Sequence, residues 1–176
     1  GFTRINVKMK SVDETEINGL GPVITEFHIE QLFQKLDQLQ QGDTLIISGS
    51  IPSTLPDEMY QRIMVRLQNK GIRFIVDATK DLLVNVLKYQ PYLIKPNNLE
   101  LSEIFGVSLE TRQDVIPYAK RLQEMGARNV LVSMGSKGAV LVSEQGNVLE
   151  MDAPKGQVVN SVGAGDSMVA GFLAGK

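Results

Sequence analysis

Ile72-Arg-Phe-Ile-Val-Asp77 is a run of β-branched and aromatic residues that stops on an aspartate. Behind it Leu82, Leu83, Val86 and Leu87 recur at helical spacing, and Tyr92-Leu-Ile-Lys95 returns to a strand pattern. A short apolar run, a helical pattern and a second apolar run make a strand–helix–strand unit of the kind that builds parallel sheets. The same rhythm extends outward. Upstream, Thr44-Leu-Ile-Ile-Ser48 precedes a helical stripe over residues 55–70 with Tyr60, Ile63, Met64 and Leu67 inward. Downstream come a short helix over 99–105, a longer one over 113–125 opened by Thr111 and Asp114 in the manner of a capping box, and the strand Asn129-Val-Leu-Val-Ser133. Residues 139–143 and 148–151 read as a hairpin around Gln145-Gly146-Asn147. The expected fold is α/β, a mostly parallel sheet covered by helices on both faces.

Four of these strands end on a polar residue: Ser48, Asp77, Lys95 and Ser133. Ligands of open α/β sheets bind just beyond the carboxyl ends of the strands, so the four termini are expected to line one site. At the amino end the pattern differs. Ile5, Val7 and Met9 alternate with Arg4, Asn6, Lys8 and Lys10, which predicts a half-exposed antiparallel strand over 3–10 with a second strand near 15–18. An amphipathic helix follows over 28–41. The expected division is residues 1–20 as part of a small β lid and 21–176 as the α/β core.

The 176 residues are 43% hydrophobic and 22% charged, with a net charge of −2. No basic stripe stands out of the kind that binds nucleic acid or a membrane surface. The absence of cysteine and the single histidine, His28, exclude a disulfide framework, an iron–sulfur cluster, a Cys/His zinc site and a cysteine nucleophile. No apolar run nears the ~20 residues of a membrane span. A soluble, cytoplasmic protein is the expectation. The opening without Met and the close a few residues into a helical pattern suggest a segment of a longer chain, incomplete at both ends and not expected to turn over substrate alone.

The chemistry concentrates in Asn160-Ser-Val-Gly-Ala-Gly-Asp-Ser-Met-Val-Ala-Gly171. Gly163 and Gly165 stand at the start of a helical pattern, where free N–H groups and the helix dipole favour an anion. Asp166 falls in the first turn, where an ionised carboxylate could accept the proton of an attacking hydroxyl. An ordinary glycine-rich helix start, with Asp166 complementing the dipole, fits the same residues. No Walker A string occurs, and Gly163-x-Gly165-x-x runs into Met168 where a dinucleotide fingerprint requires a third glycine.

This stretch resembles the carboxyl-terminal signature of the PfkB-type, ribokinase-like carbohydrate kinases. Three further blocks resemble that family's motifs in its own order: Ser48-Gly-Ser-Ile-Pro, Lys95-Pro-Asn-Asn-Leu-Glu and Ser133-Met-Gly-Ser-Lys-Gly. The resemblance implies a three-layer fold with a β lid and an ATP- and Mg²⁺-dependent phosphoryl transfer to a sugar hydroxyl. It implies Asp166 as catalytic base, with Gly163, Ala164 and Gly165 as the anion hole. Asn97 and Glu100 would position Mg²⁺ through water; their i, i+3 spacing would set both on one helix face. Lys95, Ser133, Gly135 and Gly138 would meet the nucleotide, and Arg4, Ser48, Gly49 and Ser50 the phosphosugar. Residues 3–18 would form a lid that excludes water and joins a homodimer. Within the family, Thr3-Arg-Ile-Asn-Val-Lys and Thr15-Glu-Ile-Asn-Gly most resemble the branch that converts fructose 1-phosphate to fructose 1,6-bisphosphate. The branch acting on tagatose 6-phosphate is the competitor, and a non-catalytic nucleotide- or sugar-phosphate-binding module is the second alternative.

Overall fold

The structure, a computed structural model, describes residues 5–10, 14–19 and 21–175. Strands β1 (Asn6–Lys10) and β2 (Glu14–Asn18) pair antiparallel, with Val7 opposite Ile17. Helix α1 (Glu26–Leu36) follows, capped by Thr25 and ending earlier than its apolar stripe suggests. Then come β3 (Thr44–Ser48), α2 (Met59–Leu67), β4 (Arg73–Asp77), α3 (Lys80–Val84) and β5 (Leu93–Ile94). Helices α4 (Asn98–Phe105) and α5 (Arg112–Glu124) lead to β6 (Asn129–Ser133). The hairpin β7 (Ala139–Val142) and β8 (Val148–Met151) precedes α6 (Ala164–Ala174).

The six-stranded sheet runs in chain order, β3-β4-β5-β6-β7-β8. Pairings from β3 to β6 are parallel, and the last two are antiparallel. Because β3, β4, β5 and β6 lie side by side and point the same way, their polar ends form one row, as the sequence pattern predicts. Residues alternate across the sheet. Phe74, Val76, Ile94, Val130 and Val132 join a large core with α1 to α5, including Phe33, Leu67, Leu101 and Leu122. Ile75, Leu93 and Leu131 face the other way onto Val169 of α6, with Met168 and Phe172 packed beside them.

Helices lie on both faces as expected, α1 to α5 on one and α6 on the other. An 11-residue helix covers only the middle of the second face, so Ile46, Leu149 and Met151 remain exposed among the described residues. Strand β5 is also shorter than its apolar run. Pro96, which has no N–H to donate, ends it, although the Ser133 N–H still donates to the Pro96 carbonyl. The predicted helix over 55–70 loses its first turn because Pro52 and Pro56 lie in tight turns closed by the Leu55 and Met59 N–H groups. No helix among the described residues is long and apolar enough to cross a membrane.

Candidate active site at the carboxyl ends of the strands

Gly163 opens α6 with φ +78°, a left-handed conformation that glycine adopts without strain. The Ala164 N–H donates to the Ser161 carbonyl (3.2 Å) and the Ser167 N–H to the Gly163 carbonyl (2.9 Å). That leaves the N–H groups of Gly165 and Asp166 as first-turn donors with no partner inside the helix. Of the three residues expected to form an anion hole, Ala164 is therefore turned to its own loop. An anion placed there would meet the Gly165 and Asp166 N–H groups, with Gly163 shaping the turn.

Helix α6 then approaches the ends of β4 and β5 closely. A Cβ on Gly165 would lie 3.1 Å from Lys95 Nζ and 3.3 Å from Lys95 Cε. Lys95 is 7% exposed, and its Nζ stands 3.2 Å from Asp77 Oδ1. Asp166 is exposed at the mouth of a cavity of about 110 Å³ that Ser48, Asp77, Ile46 and Val169 also line. Burial pushes the Asp77 carboxyl above the usual carboxylate range; Lys95 pulls it back, and the Asp166 charge adds to the rise. Burial likewise raises Glu100, against a hydrogen bond from the Asn97 backbone and the Lys95 charge, while Asp77 and Glu103 push it further up. One buried ammonium thus faces several carboxylates that repel each other.

The Asn97/Glu100 geometry differs from the expectation. Asn97 is the N-cap of α4, not a residue on its face: its side chain accepts from the Glu100 N–H, and Glu100 Oε2 accepts from the Asn97 N–H, both at 2.8 Å. The spacing is that of a reciprocal cap. Glu100 Oε1 stays uncommitted by the cap, and no group of three or more His, Cys, Asp or Glu among the described residues could hold a metal ion by itself. Oxygen donors beside an excess of half-buried negative charge suit a hard divalent cation that keeps most of its waters. Asn97 and Glu100 fit Mg²⁺ in that manner.

The remaining predicted residues fall on two sides of α6. Gly49, at φ +94°, donates its N–H to the Asp77 carbonyl, and its own carbonyl accepts from the Tyr60 hydroxyl. The Ser48-Gly49-Ser50 loop is so tied to the end of β4, with Ser50 exposed beyond it. Ser133 bridges to Asn97. Gly135 and Gly138 line a second, mostly apolar cavity of about 720 Å³ between their turn, β7–β8 and α6. Arg4 lies outside the described residues. Two features escaped the sequence: Asp77 as a charged partner of both Lys95 and Asp166, and the cavity wall formed by residues 150–154 with Met168, Gly171 and Phe172. The i, i+3, i+4 spacing of those three on α6 could have marked that wall, but it reads equally as core.

Lys95→Met tests the electrostatics. A carboxyl whose folded pKa is raised binds its proton more tightly in the fold, so its contribution is largest at low pH and is lost as pH rises through that range. Removing the ammonium lets Asp77 and Glu100 rise further. The variant's thermal midpoint should fall more steeply than wild type's as pH rises above the ordinary carboxylate range. Parallel pH profiles would show that Lys95 does not govern the two acids.

Strand ends that meet a glycine-marked helix start bearing an acid make an arrangement suited to an anionic group such as phosphate. The profile described as pfkB family carbohydrate kinase matches residues 1–176, and the chain belongs to that family. It is 45% identical over 175 residues to the 1-phosphofructokinase of Bacillus subtilis, covering 99% of this chain and 57% of that protein. It is 37% identical over 174 residues to the D-tagatose-1-phosphate kinase of Bacillus licheniformis, covering 98% of this chain and 57% of that one. The structure of phosphofructokinase-2 from Escherichia coli in complex with substrates and products superposes with a TM-score of 0.80 at 32% identity, over 91% of this chain and 53% of that one. The chain spans little more than half the length of the curated relatives it matches.

Proposed function

We propose that the protein containing this chain transfers the terminal phosphoryl group of ATP to the 6-hydroxyl of fructose 1-phosphate, giving fructose 1,6-bisphosphate and ADP. The observation that carries this reading is Asp166, in the first turn of α6, at the mouth of a cavity shared with Ser48 and Asp77. Its carboxylate accepts the sugar hydroxyl proton as the oxygen attacks the γ-phosphorus. The Gly165 and Asp166 N–H groups and the helix dipole meet the charge on the equatorial oxygens. Lys95, whose Nζ stands 3.2 Å from Asp77 Oδ1, serves as a point charge toward the phosphates. Asn97 and Glu100 would hold Mg²⁺, which would supply positive charge against the phosphates. The cavity along α6 takes the nucleoside, its apolar lining suiting a purine face, with Gly135 and Gly138 on one side and Ser133 just ahead of that turn in the chain. Arg4 and Ser50 hold the sugar's existing phosphate, Arg4 by its bidentate fork.

The β1–β2 pair serves as lid, keeping water from competing as acceptor. Its exposed apolar residues Ile5, Val7, Met9 and Ile17 are the face through which we propose a homodimer forms.

Initial rates of ADP release with Mg-ATP on fructose 1-phosphate, tagatose 1-phosphate and tagatose 6-phosphate, using the full-length protein, test the reading. Fructose 1-phosphate should be preferred by about tenfold or more in kcat/KM, since an enzyme that hydrogen-bonds a sugar hydroxyl discriminates against its epimer. Preference for either tagatose phosphate keeps the mechanism and moves the substrate; the Bacillus licheniformis relative favours considering the 1-phosphate. No ADP release with any of them would leave a non-catalytic binding module.

A further inference from the structure

Arg112 is the first residue of α5, held at the helix start by the reciprocal cap between Thr111 and Asp114. Its guanidinium leaves the helix toward the nucleoside cavity but stays behind the cavity wall. Nε donates to the Lys137 carbonyl (2.8 Å), Nη2 pairs with the Asp152 carboxylate, and Nη1 stands 3.9 Å from Glu150 Oε2. Lys137 returns the contact, its Nζ donating to the Glu110 carbonyl (2.7 Å). The turn Gly135–Lys137 lies at one wall of the cavity, and Glu150 and Asp152 line another. One planar side chain therefore spans both walls from outside, and its fork geometry serves a carbonyl and two carboxylates at once.

The Arg112–Asp152 pair contributes little to stability as an ion pair, because the Asp152 side chain is 87% exposed. What it restricts is the spacing between the two walls. We propose that Arg112 is a positioning residue for nucleotide binding: it holds the turn at residues 135–138 and the exit of β8 at the separation the base requires, without touching the nucleotide. This rests on the reading of that cavity as the nucleoside site. If removing the tie lowers the fraction of molecules with a ready-formed cavity to about a tenth, apparent nucleotide affinity falls about tenfold while the bound complex is unchanged.

The test uses the full-length protein, with Mg-ATP varied at saturating fructose 1-phosphate and the reverse. Arg112→Ala should raise KM for Mg-ATP about tenfold, with kcat and KM for the sugar phosphate within about twofold of wild type. Arg112→Lys keeps a charge but cannot serve Lys137 and Asp152 together; its KM for Mg-ATP should rise about threefold. That variant carries the test if Arg112→Ala does not fold. An unchanged KM for Mg-ATP in a folded variant overturns the proposal. So does a rise in both KM values together, which a general loosening would produce. Wild type that neither turns over nor binds Mg-ATP by calorimetry would instead overturn the nucleoside reading, and this proposal with it.

Discussion

Asp166→Asn in the full-length protein should lower kcat on fructose 1-phosphate by about three orders of magnitude while Mg-ATP affinity stays within about twofold. Asparagine preserves the shape and leaves the Gly165 and Asp166 N–H groups in place, so phosphate binding at the helix start persists. It cannot accept the hydroxyl proton. A second readout separates this from damage to the fold. The Asp166 charge contributes to the raised pKa of Asp77. Without it Asp77 lies closer to its ordinary value, and the stability lost as pH rises through the carboxylate range is smaller. The variant should be slightly more stable than wild type at neutral pH while almost inactive, the usual signature of a charge kept for function at some cost in stability. Turnover near the wild-type rate would remove Asp166 from the role of base. A large drop in thermal midpoint would mean that its contribution is structural.

The sequence is informative where a local pattern and the global fold coincide. Apolar runs closed by Ser48, Asp77, Lys95 and Ser133 reveal a parallel row of strands because strand polarity returns where the sheet meets solvent, and in this fold that edge also carries the candidate site. The helix start at Gly163 is legible because positive φ and free N–H groups leave a compositional trace. Asn97 and Glu100 show the opposite case. Their i, i+3 spacing suits a shared ion or a reciprocal cap equally well, and only coordinates distinguish an N-cap residue from one on the helix face. Arg112 and Asp77 were illegible as partners because their contacts cross 25 to 40 residues of chain for Arg112, and reach from strand to helix for Asp77. Nothing local marks a basic residue at a helix start as the tie between two distant loops.

Gly138→Ala should be the most destabilising single methyl in the wall of the cavity along α6. Gly138 has φ +86°, and a Cβ there would lie 1.9 Å from the Met151 carbonyl oxygen and 2.9 Å from the Ala153 nitrogen. Both obstacles are backbone, so neither can rotate aside as a side chain would. The start of β7 and the exit of β8 would have to separate, breaking the Ala139–Met151 register. A cost of about 3–5 kcal/mol follows, from the overlap together with a left-handed conformation that alanine resists. For a domain of this size that is a fall of about 10 °C in thermal midpoint. Gly135 supplies the control within the same turn. Its φ is +56°, but a Cβ there would meet nothing within 4 Å, so Gly135→Ala carries only the conformational penalty of about 1 kcal/mol. Unequal losses, with Gly138 well ahead, would mean that backbone contact sets the wall; equal losses would mean that φ alone does, and that residues 151–153 stand further off than the close approach requires.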